Sequence, residues 1–112
     1  MSSAPKVLVA QSLVENALTK KYTSPAGGLG TYIDKAAFAN ISGGTATLTV
    51  NVVPSGGSTG DGNKAVPLQS VGAAATVSLA ELAGRYMAPG DELWWLAGTA
   101  SAINGCITGR EL

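Results

Sequence analysis

Histidine is absent from the chain, and cysteine occurs once. A lone Cys excludes an intramolecular disulfide framework. Without His, a zinc site would rest on one thiol and carboxylates, which is not how such sites are built. Serine and cysteine triads lose their base for the same reason, so Cys106 has nothing to activate it. Charge is scarce as well. Seven basic and seven acidic residues make 12% of the chain and a formal net charge of +0, where about a quarter charged is usual. A balanced charge leaves no nucleic-acid footprint. Long apolar runs are also missing. Val7–Ala10 is cut by Gln11 and Ser12, too short for a signal peptide. The charge-free stretch Ala36–Gly60 is full of Thr, Ser, Asn and Gly and would not enter a bilayer. The chain is therefore expected to be soluble where it is made, with no membrane or nucleic-acid partner, no metal and no cofactor. A free Cys106 agrees with a reducing compartment. Asn40-Ile41-Ser42 is formally a glycosylation sequon and is expected to be accidental.

Small residues fill the space. Ala, Gly, Ser and Thr make 53 of the 112 residues, while Leu, Ile, Val and Phe make 25. That is thin for a core but above the disordered range. So low a charge on a single small domain points to a partner that covers part of it. The breakers are spaced regularly: Ser24-Pro25-Ala26-Gly27-Gly28, Ser42-Gly43-Gly44, Pro54 to Asn63, Ala88-Pro89-Gly90-Asp91 and Asn104-Gly105. Short runs rich in Val, Thr, Ile and Tyr lie between them, the pattern of a sandwich or barrel. In Thr45–Val53, Leu48, Val50 and Val52 alternate with Thr47, Thr49 and Asn51, which predicts a half-buried strand with a polar outer face. Gly43-Gly44 predicts a hairpin joining it to the strand Thr31–Ile41. Further strands are expected at Lys6–Val14, Leu18–Thr23, Lys64–Gln69, Thr76–Leu79, Glu92–Thr99 and Ala102–Arg110. Ser78-Leu79-Ala80-Glu81 has a capping-box pattern and predicts one short turn of helix at most. Gln11–Lys21 could be read as helix, and strand is preferred. Pro54–Asn63 has the composition of an exposed, flexible tip.

Motifs that would carry chemistry fail on spacing. Gly57-x-x-x-x-Gly62-Asn63-Lys64 displaces the lysine of a phosphate loop and joins strands instead of opening a helix. Gly28-Leu29-Gly30 lacks a third glycine and reads as a turn. Asp61-Gly62-Asn63 offers too few oxygens for calcium. Asp91 and Glu92 are consecutive, so on a strand they point to opposite faces and cannot share a substrate. No catalytic residue emerges, and the chain is not expected to be an enzyme.

Trp94-Trp95 is different. On a strand one ring enters the core and the other faces outward, and Trp is enriched among interface anchors. Leu93 accompanies Trp95 and Leu96 accompanies Trp94, so alternation leaves the assignment open, with Trp94 favoured inside because Leu96 and Gly98 continue its face. Val7 and Val9, on an N-terminal strand able to pair with a neighbour's edge, join Trp94 and Trp95 as interface candidates.

Four turns then form an ordered series: Tyr22-Thr23-Ser24-Pro25-Ala26-Gly27, Ala39-Asn40-Ile41-Ser42-Gly43, Val52-Val53-Pro54-Ser55-Gly56-Gly57 and Ala88-Pro89-Gly90-Asp91-Glu92-Leu93. The series resembles small β-sandwich virion proteins of tailed bacteriophages, which end on a short strand as Gly109-Arg110-Glu111-Leu112 does here. The likeness runs from about Ala10 to the end, and Trp94-Trp95 departs from it. It implies a structural part of the particle: a capsid decoration (cement) protein bound to the major capsid protein, or a tail or fibre component that contacts a host glycan or another tail protein. It would be made in the bacterial cytoplasm and reside in the virion.

Taken together, the expectation is one all-β antiparallel sandwich, jelly-roll-like or immunoglobulin-like, of about seven or eight short strands. Residues 1–9 form an N-terminal arm or edge strand and residues 10–112 the sandwich. The expected core is Leu48, Val50, Val52, Val77, Leu79, Leu93 or Trp94, Ile103 and Ile107. A homo-oligomer, dimer or trimer, is expected.

Overall fold

The computed structural model describes residues 4–112; the first three residues of the expected arm lie outside them. The described residues form β1 (Lys6–Leu13), β2 (Thr19–Thr23), β3 (Thr31–Asn40), β4 (Ala46–Val53), β5 (Lys64–Val71), β6 (Thr76–Ser78), β7 (Tyr86–Met87), β8 (Glu92–Ala97) and β9 (Ile103–Glu111). The first sheet has the order β1-β9-β3-β6, with β7 also beside β3, and the second has β2-β8-β4-β5. All the pairings are antiparallel. The chain is an all-β antiparallel sandwich.

The strand order chooses between the two expected topologies. The chain crosses from one sheet to the other between β1 and β2, β2 and β3, β3 and β4, and β5 and β6, and again on both sides of β8. β9 inserts between β1 and β3, and β8 inserts between β2 and β4. An immunoglobulin sandwich keeps its first two strands side by side in one sheet. Interleaving the last strands between the first ones is the jelly-roll order.

That order corrects the hairpin expected at Gly43-Gly44. β3 and β4 lie in different sheets, so the segment between them is a bridge across the sandwich. Asn40 builds the bridge. Its Nδ2 donates to the carbonyls of Gly44 and Val71, at 2.8 and 2.9 Å. Its Oδ1 accepts from the Ser42 amide and hydroxyl. An Asn that mimics backbone in this way turns the chain without a ladder. Asn104-Gly105, expected as a break, sits inside β9. A Cβ on Gly105 would lie 2.5 Å from the Phe38 ring and 2.8 Å from that of Trp95, so the glycine makes room for aromatic packing.

The core is the meeting of the two inner faces. Ile33, Ala36, Phe38, Ile103 and Ile107 come from the first sheet, and Leu48, Val50, Leu93, Trp95 and Ala97 from the second. Phe38 and Trp95 meet edge to face, with ring centroids 5.7 Å apart, within the favoured range for such pairs. Leu79 and Leu82, in the short turn after β6, are buried with them. Val52 and Val77, expected in the core, pack against its margin and remain half-buried.

The loop Pro54–Asn63 is held, contrary to its linker-like composition. Asn51 Nδ2 donates to Gly60 O at 3.1 Å and to Asn63 Oδ1 at 2.7 Å. Asn63 Nδ2 donates to Ser58 O, and Asn63 Oδ1 also accepts from the Gly60 amide. The loop thereby folds back over the polar side of β4 and buries Asn51.

The sheet edges are blunted. β1 hydrogen-bonds β9 with two register shifts, and β2 pairs β8 with one. β5 pairs β4 with two register shifts and contains Pro67. Bulges, proline and very short strands such as β6 and β7 resist addition of a further strand. The route expected for self-association, a neighbour's edge added to β1, meets that resistance.

Candidate functional site

The Trp pair resolves in the opposite sense to the expectation. Trp95 is 1% exposed and central to the core, and Trp94 faces outward, half-buried. Register decides it: Trp95 lies opposite Val50, and Leu93 opposite Val52, so Leu93 and Trp95 share the inner face. The buried indole is satisfied by charge. Trp95 Nε1 donates to Glu15 Oε1 at 2.6 Å, and Lys21 Nζ donates to Glu15 Oε2 at 2.9 Å. Lys21 Nζ also stands 5.4 Å from the Trp95 ring centroid, at cation–π distance. Burial pushes the Glu15 carboxyl up, but the bonds from Trp95 and Lys21 outweigh it and hold the group below its ordinary value. This is a structural cluster, and it removes Trp95 from the interface candidates. Val9 leaves them as well, because it is buried.

A second polar cluster ties the sheets together at one end. Tyr22, on β2, donates its hydroxyl to Glu111 Oε2 on β9 and lies 3.0 Å from Thr31 Oγ1 on β3. Ser24 Oγ and Thr31 Oγ1 are 2.8 Å apart, and Lys6 Nζ donates to Glu111 Oε1. Burial and the adjacent Glu111 carboxylate push the Tyr22 hydroxyl up to about 12. The bonds from Lys6 and Tyr22 hold Glu111 below its ordinary value. Three of the four turns of the series noted in the sequence interlock beside this cluster. The Ser24 amide donates to Asp91 O, the Gly90 amide to Ser24 O, and the Ser55 amide to Asp91 Oδ1. A Cβ on Gly90 would lie 2.5 Å from Ser55 Oγ.

The outer face of the first sheet carries exposed apolar groups at that end. Val7 is 55% exposed, and Tyr32, Tyr86 and Leu112 also face solvent. Val7 lies opposite Thr108, Tyr32 opposite Arg110, and Tyr86 opposite Tyr32, which places their side chains on one face. The two tyrosine rings are 5.4 Å apart and tilted at 59°. Tyr86 donates its hydroxyl to Leu29 O at 2.7 Å, and Leu29 is 76% exposed. Gly30, at φ +112°, lets the Tyr86 ring lie against the backbone. Sequence reasoning found Val7 and missed Tyr32, Tyr86 and Leu29. The alternation Thr31-Tyr32-Ile33 carried a signal for Tyr32, whereas β7 is too short to show one.

The outer face of the second sheet carries Trp94, whose Nε1 donates to Glu92 Oε1 at 2.9 Å. Leu18, Thr49, Asn51, Thr59, Gly60, Lys64, Leu68 and Leu96 line a cavity of about 270 Å³ on it. Among the described residues no three His, Cys, Asp or Glu side chains gather as metal ligands, and no helix is long and apolar enough to cross a membrane. The chain matches no protein-family model, no curated protein and no solved structure.

Proposed function

We propose that this is a non-enzymatic virion structural protein of a tailed bacteriophage, a capsid decoration protein that binds the major capsid shell and reinforces it. The observation that carries the reading is the turn series. Three of its turns interlock through Ser24, Ser55, Gly90 and Asp91, so the residues behind the resemblance form one packed unit. By analogy of fold alone, jelly rolls recur in viral capsid proteins and in lectins. The docking face in this reading is the outer side of the first sheet, with Val7, Tyr32 and Tyr86 as anchors and the small residues Ala37, Ala39 and Cys106 lining a hollow of about 140 Å³ on it. Many copies on one shell gain avidity that a single weak contact lacks. The copies associate as dimers or trimers through faces, the edges being blunted.

The test is a particle reconstruction from cells co-expressing this chain with the major capsid protein of the same phage. Copies seated on the shell through the first sheet are expected. Tyr32→Ser combined with Val7→Ser folds normally and leaves the shell bare. Bare shells with the unmodified chain refute the reading, as does full decoration by the double variant. Light scattering that shows a clean monomer at high micromolar concentration refutes self-association.

A further inference from the structure

The groove on the outer face of the second sheet holds a feature that folding does not use. Asn51 is 1% exposed, and its Oδ1 has no hydrogen-bond donor among the described residues. The amide cannot be turned to cure this. Its Nδ2 already serves Gly60 O and Asn63 Oδ1, and a flip would set oxygen against two oxygens. Buried polar atoms are nearly always paired, and an orphan calls for an explanation.

The surroundings suit a donor from outside the chain. Leu18, Leu68 and Leu96 give the groove apolar walls, and Thr49, Thr59 and Lys64 give it polar ones. Thr49 Oγ1 accepts from the Leu68 amide at 3.3 Å, which leaves its own hydrogen to donate. Trp94 lies across the ladder from Asn51, and Leu96 across from Thr49. Leu68 is held at the rim with φ +48° and 67% exposed. Non-glycine residues rarely adopt that conformation, and such strain clusters at ligand sites. The fixed charges nearby cancel. Lys64 pairs with Asp61 at 3.0 Å and Lys20 with Glu92 at 3.6 Å.

A ligand for this groove must be uncharged, offer hydroxyl donors and acceptors on one side, and present an apolar face on the other. A pyranose ring does all three, with its C–H face against the leucines and its hydroxyls towards Asn51, Thr49 and Thr59. We infer that the outer face of the second sheet is a binding site for a neutral sugar residue, with Asn51 Oδ1 accepting a sugar hydroxyl and Leu68 and Leu96 packing on the ring. The site is independent of the decoration reading, because it lies on the sheet opposite the proposed docking face. Asn51 Oδ1 is sealed in this structure, so in this proposal a sugar hydroxyl reaches it only when the rim that includes Leu68 and Thr59 gives way.

Nitrogen-15 NMR titration of the purified chain with glucose, galactose and N-acetylglucosamine, and with oligosaccharides of each, tests this. At least one sugar is expected to produce saturable shifts at Thr59, Gly60, Leu68, Leu96 and the Asn51 side-chain amide. A Kd in the millimolar range is expected for a single ring, since the groove is open and the contacts few. Tighter binding of the oligosaccharide identifies a glycan as the source, and equal binding a free sugar. Thr59→Val keeps the Asn51 bonds, leaves the spectrum otherwise native, and weakens binding about threefold to tenfold, as the loss of one hydrogen bond worth about 0.7–1.4 kcal/mol requires. The inference is overturned by the absence of saturable shifts with every sugar, by shifts centred on Tyr32 and Tyr86 instead, or by unchanged affinity in Thr59→Val.

Discussion

Deleting Ser58–Gly60 sets two effects against each other. The deletion takes the loop Pro54–Asn63 from ten residues to seven. Closing the shorter loop costs less entropy, a gain of about 0.3 kcal/mol by the logarithmic length dependence. Composition alone therefore predicts a silent change. The structure predicts otherwise. The deletion removes Gly60 O, one of the two acceptors of Asn51 Nδ2, and pulls Asn63 Oδ1, the other, out of register. A buried donor left unpaired costs about 1–3 kcal/mol, several times the entropic gain. The variant is expected to lose about 1–3 kcal/mol, read as a lower urea midpoint at unchanged slope, followed by tryptophan fluorescence. Repeating the deletion in an Asn51→Ala background closes a double-mutant cycle, and there the deletion should cost under about 0.5 kcal/mol. A loss below about 0.5 kcal/mol in the native background would refute the reasoning, and so would equal losses in both.

Gly105→Ala should destabilise by about 1–3 kcal/mol, the usual cost of overpacking, because the added methyl enters the space of Phe38 and Trp95; thermal melts check this, and an unchanged Tm contradicts the packing described. Acid should weaken the fold through Glu111 and Glu15, whose carboxyls are depressed in the folded chain. The unfolded chain binds protons first, so their contribution is present above the unfolded pKa and is lost as pH falls through the folded ones. Urea midpoints from about pH 7 to about pH 3 should fall less steeply for Glu111→Gln than for the unmodified chain, and parallel curves would show that Glu111 is not linked to folding.

Much of the strand set was legible because it rests on period and punctuation. β3, β4, β5, β8 and β9 lie where Val, Ile and Thr runs end in Gly, Pro or Asn. What escaped has physical causes. A glycine pair says that the chain reverses, not whether the next strand stays in the same sheet, and the bridging amide of Asn40 decides that. A glycine inside β9 looks like a turn until the Phe38 and Trp95 rings occupy the space above it. Alternation told that the two tryptophans part, yet which went inside depended on the pairing of β8 with β4. The groove with its unpaired Asn51 Oδ1 depends on a long-range contact between β4 and the 54–63 loop, which no local pattern encodes.

The place of β9 sets a constraint on how the molecule comes into being. The last strand is not at an edge: it lies between β1 and β3 and pairs with both. A growing chain therefore carries β1 and β3 without a common partner until Ile103–Glu111 has been made, and the first sheet forms only once that strand is free of the ribosome. Folding is slow for the domain's length, since contacts distant in sequence must close first. Until then the apolar sides of β1 and β3 stay open to other nascent chains, a hazard that grows with the rate of synthesis.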